Sequence, residues 1–329
     1  MFRKFSILVG TALILSSCQA SPSFLNPSSP ISNSEANLYK TILYMAIVVF
    51  VLVEGALLVI LIRDRKRSQD EQLPAQIHGN TRLEIIWTGI PILLVIALFI
   101  MTVQTIKAVA APLSSKDDLN LRVVGHRWWW EFDYPDLGIA TANELHIPVG
   151  TTVQINLASV DVIHSFWVPQ LSGKMDVVPG QDNKMWLTGE QVGEYLGQCA
   201  EFCGTQHALM WFKVIVDSQE DFDAWVKNQQ SEAYQPQTEA EQAGYKVITG
   251  TCSTCHSIDP GEFNTDKVGP NLAHLFSRTT FAGGSFELTE ENLHSWLTDT
   301  QAMKPQNDME ITLTPQEIEN LMAYLLKLK

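Results

Sequence analysis

Two long apolar runs near the amino end constrain this sequence more than any other feature. The first extends from about Leu38 to Ile62 and the second from about Ile85 to Ala110, and each is long enough to cross a bilayer as a helix. The basic cluster from Arg63 to Arg67 is typical of the cytoplasmic end of a span. The sequence therefore predicts a transmembrane helical hairpin over residues 38–112 with both ends outside. Two buried core helices of a water-soluble protein fit the lengths and flanking charges poorly.

The first residues resemble a secretion signal of the bacterial lipoprotein type. A basic start and an apolar run from Phe5 to Leu15 precede the sequence Leu-Ser-Ser-Cys18, which resembles a lipobox. We expect residues 1–17 to be removed as a signal peptide and Cys18 to carry a lipid anchor. An ordinary signal with an incidental cysteine is the alternative. The Ser-, Pro- and Asn-rich residues 18–37 are expected to form a spacer.

The rest of the chain divides into a β-rich part and a helical part. From about Leu119 to Val216 the hydrophobic period is two, and proline and glycine separate the short runs. This pattern predicts an antiparallel sandwich or barrel over residues 113–226. The polar residues 227–242 are expected to be a linker. Residues 243–329 follow a helical pattern and predict an all-α domain.

The charge balance excludes one class of partner. The chain has 36 acidic and 22 basic residues, for a formal charge of -14, whereas nucleic acids select faces rich in Lys and Arg. We therefore expect no nucleic-acid partner. Residues 231–329 alone hold 14 acidic and 6 basic residues, which gives -8. An acidic surface of this kind favours a basic protein partner.

The densest group of metal-binding side chains lies between Cys199 and Met210. Cys203 and His207 fall in the same segment, and His164 lies on an earlier predicted strand. Thiolates, imidazoles and a thioether are soft ligands that favour copper. A mononuclear blue copper site needs one cysteine, so the second thiolate indicates two bridged copper ions. Together with one backbone carbonyl, these side chains would complete the coordination of both ions. A site without an open position can only take and give electrons.

A second pair of cysteines indicates a haem. Cys252-Ser-Thr-Cys255-His256 fits the C-x-x-C-H pattern, in which two thioether links hold a c-type haem and the histidine is an axial ligand. The segment from Lys304 to Met309 resembles the methionine loop of small class I cytochromes c. We therefore expect Met309, rather than Met303, to be the second axial ligand.

Both cysteine pairs have alternative interpretations. Cys199 and Cys203 could form a disulfide in an oxidising compartment, or bind zinc, although methionine is an unusual zinc ligand. Cys252 and Cys255 could likewise form a short-loop disulfide or a zinc pair.

Residues 78–216 resemble subunit II of the haem-copper oxidases, whose binuclear copper centre is called CuA. Gly125 to Phe132 resembles its aromatic strand, and Asp161 to Phe166 resembles its first copper-ligand segment. The resemblance implies a cupredoxin-like barrel in which copper is bound by the backbone carbonyl of Glu201 and by the side chains of His164, Cys199, Cys203, His207 and Met210.

The same resemblance implies three further roles. The Glu201 carboxylate would ligate magnesium at the interface with the largest subunit. Trp128 would be the point where electrons reach the copper pair, and Glu84 would lie at the mouth of a proton path. Each has a simpler alternative, because both acids could be solvated and Trp128 could merely cover the barrel.

Taken together, the hairpin, the copper barrel and the haem domain resemble the fused subunit II of a caa-type cytochrome c oxidase. The resemblance covers nearly the whole chain. It implies a subunit of a multisubunit cytochrome-c oxidase in a bacterial cell membrane. Electrons would pass from soluble cytochrome c or another small donor to the haem, then to the copper pair, then to subunit I. Reduction of oxygen to water, with proton translocation, would occur in subunit I.

Three other classes of protein compete with this interpretation. A quinol oxidase subunit shares the hairpin and the barrel but lacks the copper cysteines. A nitric oxide reductase with a CuA centre could use a similar subunit, and no residue excludes it. A copper carrier would need an open, exchangeable site without a haem, which the C-x-x-C-H pattern disfavours.

Overall fold

The computed structural model describes residues 22–64, 79–110, 118–263 and 267–329. The expected signal peptide 1–17, the expected lipid site Cys18 and the basic residues Arg65 to Arg67 lie outside the described residues. The described residues between 33 and 110 form one compact unit, and those at 22–32 and 118–329 form the other.

Two long helices contain the apolar runs. Helix α1 (Pro30–Arg63) has 34 residues and helix α2 (Thr81–Ala110) has 30. At 1.5 Å per residue they measure about 51 and 45 Å, more than the hydrocarbon core of about 30 Å. Both are apolar enough to span a membrane, and the most apolar stretch of each is not buried against the protein. Such surfaces suit contact with lipid.

Polar caps explain why both helices begin before the apolar runs do. The Ser29 hydroxyl accepts the backbone N–H of Ser32 at 3.0 Å, so α1 starts before the expected Leu38. The Asn80 side chain accepts the backbone N–H of Arg82 at 3.1 Å, so α2 starts before the expected Ile85. Hydropathy alone does not detect these caps.

Within the described residues, ten strands form a cupredoxin-like sandwich of two sheets. The strands are β1 (Leu119–His126), β2 (Trp129–Tyr134), β3 (Ile139–Ala142), β4 (Glu144–Pro148), β5 (Val153–Ser159), β6 (His164–Trp167), β7 (Met175–Val177), β8 (Asn183–Leu187), β9 (Gly193–Cys199) and β10 (Trp211–Asp217). One sheet has the order β3-β2-β1-β5-β8 and the other β4-β10-β9-β6-β7.

The sheets are mixed rather than purely antiparallel. Strand β1 pairs with β5 in parallel, and so does β4 with β10. In both cases the chain visits the other sheet between the two strands, which allows them to run the same way. The predicted antiparallel arrangement is right for the other neighbouring pairs and wrong for these two.

Aromatic side chains dominate the core of the sandwich. Trp130, Phe132, Phe166 and Phe212 are all fully buried. Trp130 meets Phe166 and Phe212 edge to face, each with ring centroids 5.5 Å apart, while Phe166 stacks on Phe212 at 4.6 Å. Each such pair adds about 0.5–1.5 kcal/mol beyond its buried area. Trp130 also meets the ring of His164 at 5.8 Å, so this core supports a predicted copper ligand.

Two helices border the connection between the sandwich and the second domain. Helix α3 (Gln219–Gln229) packs on the sandwich, and helix α4 (Glu239–Gly250) begins at a capping box formed by Thr238 and Glu241. The irregular stretch between them is therefore shorter than the expected linker 227–242. The domain boundaries themselves stay predictions.

The carboxyl-terminal part, called here the cytochrome domain, is a small helical domain. Its remaining helices and one short hairpin are α5 (Glu290–Thr298), α6 (Thr300–Met303), α7 (Pro315–Leu325), β11 (Thr280–Phe281) and β12 (Phe286–Glu287). Ile248, Leu297, Leu321 and Tyr324 belong to its buried core. The hairpin has two residues in each strand and is a local addition to the predicted helical domain, and its turn contacts the sandwich.

Candidate copper and haem sites

Neighbouring strands bring the five predicted copper ligands together. His164 opens β6 and Cys199 closes β9, and these strands are paired. Cys203, His207 and Met210 lie in the loop that leads from β9 to β10. His164, Cys199, Cys203 and Met210 are buried, and His207 is half-buried. One loop and one strand end therefore form a compact, water-poor cluster.

The donor atoms of this cluster are spaced as metal ligands are. The Sγ atom of Cys199 lies 3.8 Å from Sγ of Cys203 and 3.9 Å from Nδ1 of His164. The Sγ atom of Cys203 lies 3.7 Å from Nδ1 of His207 and 3.8 Å from Sδ of Met210. Tetrahedral metal sites with bonds of about 2.0–2.3 Å place their donors about 3.5 Å apart. Both cysteines are free, which disfavours the disulfide alternative.

Each sulfur has its own set of neighbours. Cys199 faces His164 and, at 3.2 Å, the backbone carbonyl oxygen of Glu201. Cys203 faces His207 and Met210. This division fits two ions that share both sulfurs and take one histidine each. The donor set therefore fits a binuclear copper centre, and the individual ligands stay proposals.

The two thiols are electrostatically coupled. The hydrogen bond from Cys203 lowers the pKa of Cys199, and His164 adds to this effect. The same interaction, together with burial, raises the pKa of Cys203. The pair thus favours one thiolate and one thiol that share a proton, and a soft cation can take the place of that proton.

Asp161 orients the imidazole of His164. Its carboxylate lies 2.8 Å from Nε2 of His164, so the other ring nitrogen faces Cys199. Burial lowers the pKa of His164, but the hydrogen bonds with Asp161 and Cys199 outweigh it and raise the pKa. The backbone N–H groups of Arg127 and Val162 hold the carboxylate at 2.7 and 2.6 Å. Sequence reasoning assigned Asp161 no role, although an acid close to a ligand histidine is a usable signal.

His164 also requires a neighbour without a side chain. A Cβ atom on Gly125 would lie 2.8 Å from Cδ2 of His164. Gly125 is on β1, so the aromatic-strand motif provides space for the imidazole as well as core side chains. The ring of His164 is therefore fixed by Gly125, Asp161 and Trp130 together.

Trp128 contacts the copper loop. Its Nε1 atom donates a hydrogen bond to the carbonyl oxygen of Cys203 at 3.0 Å. Its ring lies over Gly204, where a Cβ atom would come within 3.0 Å of Cζ2. The same side chain lines a cavity that extends into the cytochrome domain. Trp128 is therefore shared by both candidate sites.

The cavity has a volume of ≈ 310 Å³ and mainly apolar walls. Cys252, Cys255, His256 and Met309 all line it. Its apolar walls include Ile248, Leu272, Leu293 and Leu297. Two thiols, an imidazole and a thioether on one apolar cavity are the groups that a covalently bound haem requires. These residues fit the group that the motif predicts.

His256 is held in the orientation of a metal ligand. Its Nδ1 atom donates to the carbonyl oxygen of Pro270 at 2.7 Å, which leaves Nε2 for a metal. A Cβ atom on Gly269 would lie 2.4 Å from Cε1 of His256. Burial lowers the pKa of His256 and so favours the neutral imidazole that binds metals.

The cavity distinguishes the two candidate methionines. Met309 lines it, and its Sδ atom lies 3.3 Å from Nε1 of Trp296. Asn307 accepts the backbone N–H of Met309 at 2.8 Å and so fixes the loop. Met303, on helix α6, packs against the domain core as Met309 does, but it is not among the described residues that line the cavity. The geometry favours Met309, which stays a proposed ligand.

Glu201 and Glu84 are both exposed. The backbone of Glu201 faces the copper cluster, and the next residue, Phe202, is 75% exposed. Glu84 lies in the first turn of α2. Both carboxylates are accessible to a partner subunit, and their roles stay predictions.

Three family profiles match the chain. The transmembrane domain of cytochrome c oxidase subunit II matches residues 17–104, and the periplasmic domain of the same subunit matches residues 138–218. The cytochrome c profile matches residues 241–329.

Two relatives of the same name as the first two profiles, and one quinol oxidase subunit, match most of the chain. Cytochrome c oxidase subunit 2 of Alkalihalophilus pseudofirmus is 38% identical over 300 residues, covering 89% of this chain and 86% of the relative. The protein of the same name from Bacillus subtilis is 34% identical over 349 residues, covering 100% of this chain and 98% of the relative. Quinol oxidase subunit 2 of Bacillus spizizenii is 36% identical over 245 residues, covering 71% of this chain and 75% of the relative.

The fold and the two sites define a membrane-anchored redox protein with a cupredoxin-like domain and a c-type cytochrome domain. The chain belongs to the cytochrome c oxidase subunit II family and carries a cytochrome c domain at its carboxyl end. It is a component of a terminal oxidase, for which the family indicates CuA and the cytochrome domain indicates haem c. The predicted family and fold class are confirmed.

Proposed function

We propose that this subunit takes electrons from a soluble donor at its haem and passes them through the copper pair to subunit I. There oxygen is reduced to water and protons are translocated. One observation carries the electron route: Trp128 lines the haem cavity and donates a hydrogen bond to the backbone of Cys203. When bound, the haem iron and the copper pair supply one-electron redox chemistry.

The chain's own residues would hold both groups. Cys252 and Cys255 would anchor the haem by thioether links, with His256 and Met309 as axial ligands. The copper pair would be held by His164, Cys199, Glu201 through its carbonyl oxygen, Cys203, His207 and Met210.

The copper ligands are arranged for electron transfer rather than catalysis. Protein donors would fill the coordination positions of both ions and would leave none open for a substrate. Burial of Cys199, Cys203 and Met210 excludes water from the sulfur atoms. Asp161 and Gly125 hold His164 in one orientation. A site that keeps its geometry needs little rearrangement when an electron arrives or leaves.

The donor is proposed to be soluble cytochrome c or another small basic protein. Residues 231–329 hold 14 acidic and 6 basic residues, a formal charge of -8. This negative charge supports a basic donor. Opposite charge accelerates encounter, and salt weakens it. Reduction rates that do not fall as salt is raised would contradict a basic donor.

The remaining roles concern the membrane and subunit I. Both chain ends and both redox domains are proposed to face the outside of a bacterial cell membrane, with a lipid at Cys18. The exposed carboxylate of Glu201 would ligate magnesium at the interface with subunit I. Glu84, at the start of α2, would lie at the mouth of a proton path.

The electron route can be tested on the intact oxidase. Rapid mixing with reduced cytochrome c should reduce the haem before the copper. Trp128→Phe removes the donor to the Cys203 carbonyl and should slow copper reduction while haem reduction keeps its rate. Trp225→Phe is the matched control, because Trp225 stacks on His146 in the sandwich. Copper that is reduced before the haem would refute the route. Turnover with nitric oxide but not oxygen would favour the nitric oxide reductase alternative.

A further inference from the structure

Glu144 joins the sandwich to the cytochrome domain. This carboxylate opens β4 and is only 1% exposed. It accepts hydrogen bonds of 2.7 to 3.0 Å from the backbone N–H and hydroxyl groups of Thr279 and Thr280. A buried carboxylate without such donors is strongly unfavourable. In the part of the chain that the structure describes, the donors to this carboxylate are Thr279 and Thr280, so its pairing depends on the cytochrome domain.

The same contact adjoins the haem cavity. Arg278 precedes Thr279, is buried and lines the cavity, and its guanidinium donates to the carbonyl oxygen of Asn271 at 2.7 Å. Burial lowers the pKa of Arg278 to about 10, and the negative charge of Glu144 opposes that shift. An acid of the sandwich thus stabilises a cation in the wall of the cavity.

A glycine turn fits against the sandwich backbone next to Trp128. A Cβ atom on Gly283 would lie 2.5 Å from the carbonyl oxygen of Trp128, and one on Gly284 would lie 2.8 Å from that of Trp211. The backbone N–H of Trp211 donates to the carbonyl oxygen of Gly283 at 2.8 Å. These contacts persist only while the Gly283-Gly284 turn stays packed against the backbone of the sandwich.

Lys304 connects the methionine loop to the copper loop. Its side chain is buried, and Nζ donates to the carbonyl oxygens of Leu209 at 3.0 Å and Ala282 at 2.7 Å. Ser285 donates to the same Leu209 oxygen at 2.8 Å. Leu209 directly precedes Met210, so the cytochrome domain holds the copper loop itself.

We propose that Glu144, the Gly283-Gly284 turn and Lys304 fix the cytochrome domain over Trp128, so that electrons cross from haem to copper within one rigid docked unit. These are positioning residues, since they act through the placement of the two sites. A domain that swings between a donor and the copper site is the alternative. The effect on electron transfer rests on the proposed electron route. The fixed packing of the cytochrome domain on the sandwich, called here the seating, can be measured without it.

The Trp211 amide reports the seating directly. Its acceptor belongs to the other domain, so it exchanges with solvent only when the domains separate. In the intact oxidase, Glu144→Ala should speed exchange at Trp211 by about tenfold or more, because hydrogen bonds to a charged group are lost. Amides inside the β9 to β10 pairing should keep their protection. Glu144→Gln retains one acceptor oxygen, so its exchange rate at Trp211 should lie between those of the wild type and Glu144→Ala.

Comparing Gly283 with Gly180 distinguishes the effect of the contact between the domains from the effect of backbone strain. Gly283 has φ +70°, and an added Cβ would meet Trp128. Gly180 has φ +76° and nothing within 4 Å of the same position. Both substitutions to alanine carry similar strain, but only Gly283→Ala pushes the domains apart. It should accelerate exchange at Trp211, and Gly180→Ala should not.

Electron transfer supplies the second measurement. In the wild-type oxidase the haem-to-copper rate should not change as solvent viscosity is raised, whereas in Glu144→Ala and Gly283→Ala it should fall. A wild-type rate that falls with viscosity, or unchanged Trp211 exchange in both variants, overturns the fixed seating. Normal Trp211 protection without haem-to-copper transfer would refute the electron route and leave the seating intact.

Discussion

His164 donates from Nε2 to a carboxylate oxygen of Asp161 over 2.8 Å, through the ring nitrogen that does not face Cys199. This bond sets both the tautomer and the direction of the imidazole. Asp161→Asn should therefore weaken copper binding by about 10- to 100-fold. Competition titration with a copper chelator measures the affinity, and the haem content of the same sample should stay unchanged.

An exposed aspartate provides the control for that substitution. Asp176 lies on β7 and forms an ion pair of 3.7 Å with Lys174 at the surface. Asp176→Asn should leave copper affinity as it is. Equal affinities for both variants and the wild type would mean that Asp161 does not orient His164.

Met210 is expected to tune the copper pair rather than to retain it. Met210→Leu leaves both thiolates and both imidazoles, so copper should stay bound, while its reduction potential should shift and transfer to subunit I should slow. Potentiometric titration of the copper absorbance measures the shift. Met185→Leu, in β8 beside the same core, should leave the potential unchanged. An unchanged potential in Met210→Leu would remove Met210 from the ligand set.

The two methionines of the cytochrome domain should behave differently. Met309→Leu should lower the reduction potential of the haem and remove the absorption of the iron–sulfur bond, because methionine opposite histidine raises the potential. Met303→Leu should preserve the potential and the absorption, since Met303 is not among the described residues that line the haem cavity. The reverse result would assign the axial position to Met303.

Asp133 should make the sandwich less stable as the pH rises. Its burial and the negative charge of Glu131 raise its pKa to about 8, whereas an unfolded aspartate titrates near about 3.9. Between these values the folded protein holds a proton that the unfolded chain has lost. The stabilisation is complete below about pH 4 and falls by at most about 1.4 kcal/mol per pH unit up to about pH 8.

Thermal unfolding at a series of pH values tests this assignment. Asp133→Asn removes the titrating group. Its unfolding midpoint should therefore fall less than that of the wild type between the pKa of a free aspartate, about 3.9, and the pKa of Asp133, about 8. The same decline in both proteins would show that another group is responsible.

Local patterns predicted most of the chemistry. The ligands from Cys199 to Met210 and the motif from Cys252 to His256 are close in sequence, so residue type and spacing identify them. The membrane helices follow from hydropathy alone. Their starts were missed because single polar caps at Ser29 and Asn80 decide them.

Contacts between distant segments were not predictable from one sequence. Glu144 and Thr279 are 135 residues apart, and neither belongs to a motif. The parallel pairing of β1 with β5 depends on the route of the chain through the other sheet. Asp161 lies beside a predicted ligand, but its role becomes visible only when the hydrogen bond with His164 is seen.

The central claim is that one chain holds a binuclear copper centre and one haem. The most direct test is electron paramagnetic resonance, with copper and iron counts, on the full chain purified in detergent after maturation with both groups. We predict two coppers and one iron per chain, with one unpaired electron shared equally by the two coppers. A single-copper spectrum, or zinc in place of copper, would contradict the claim.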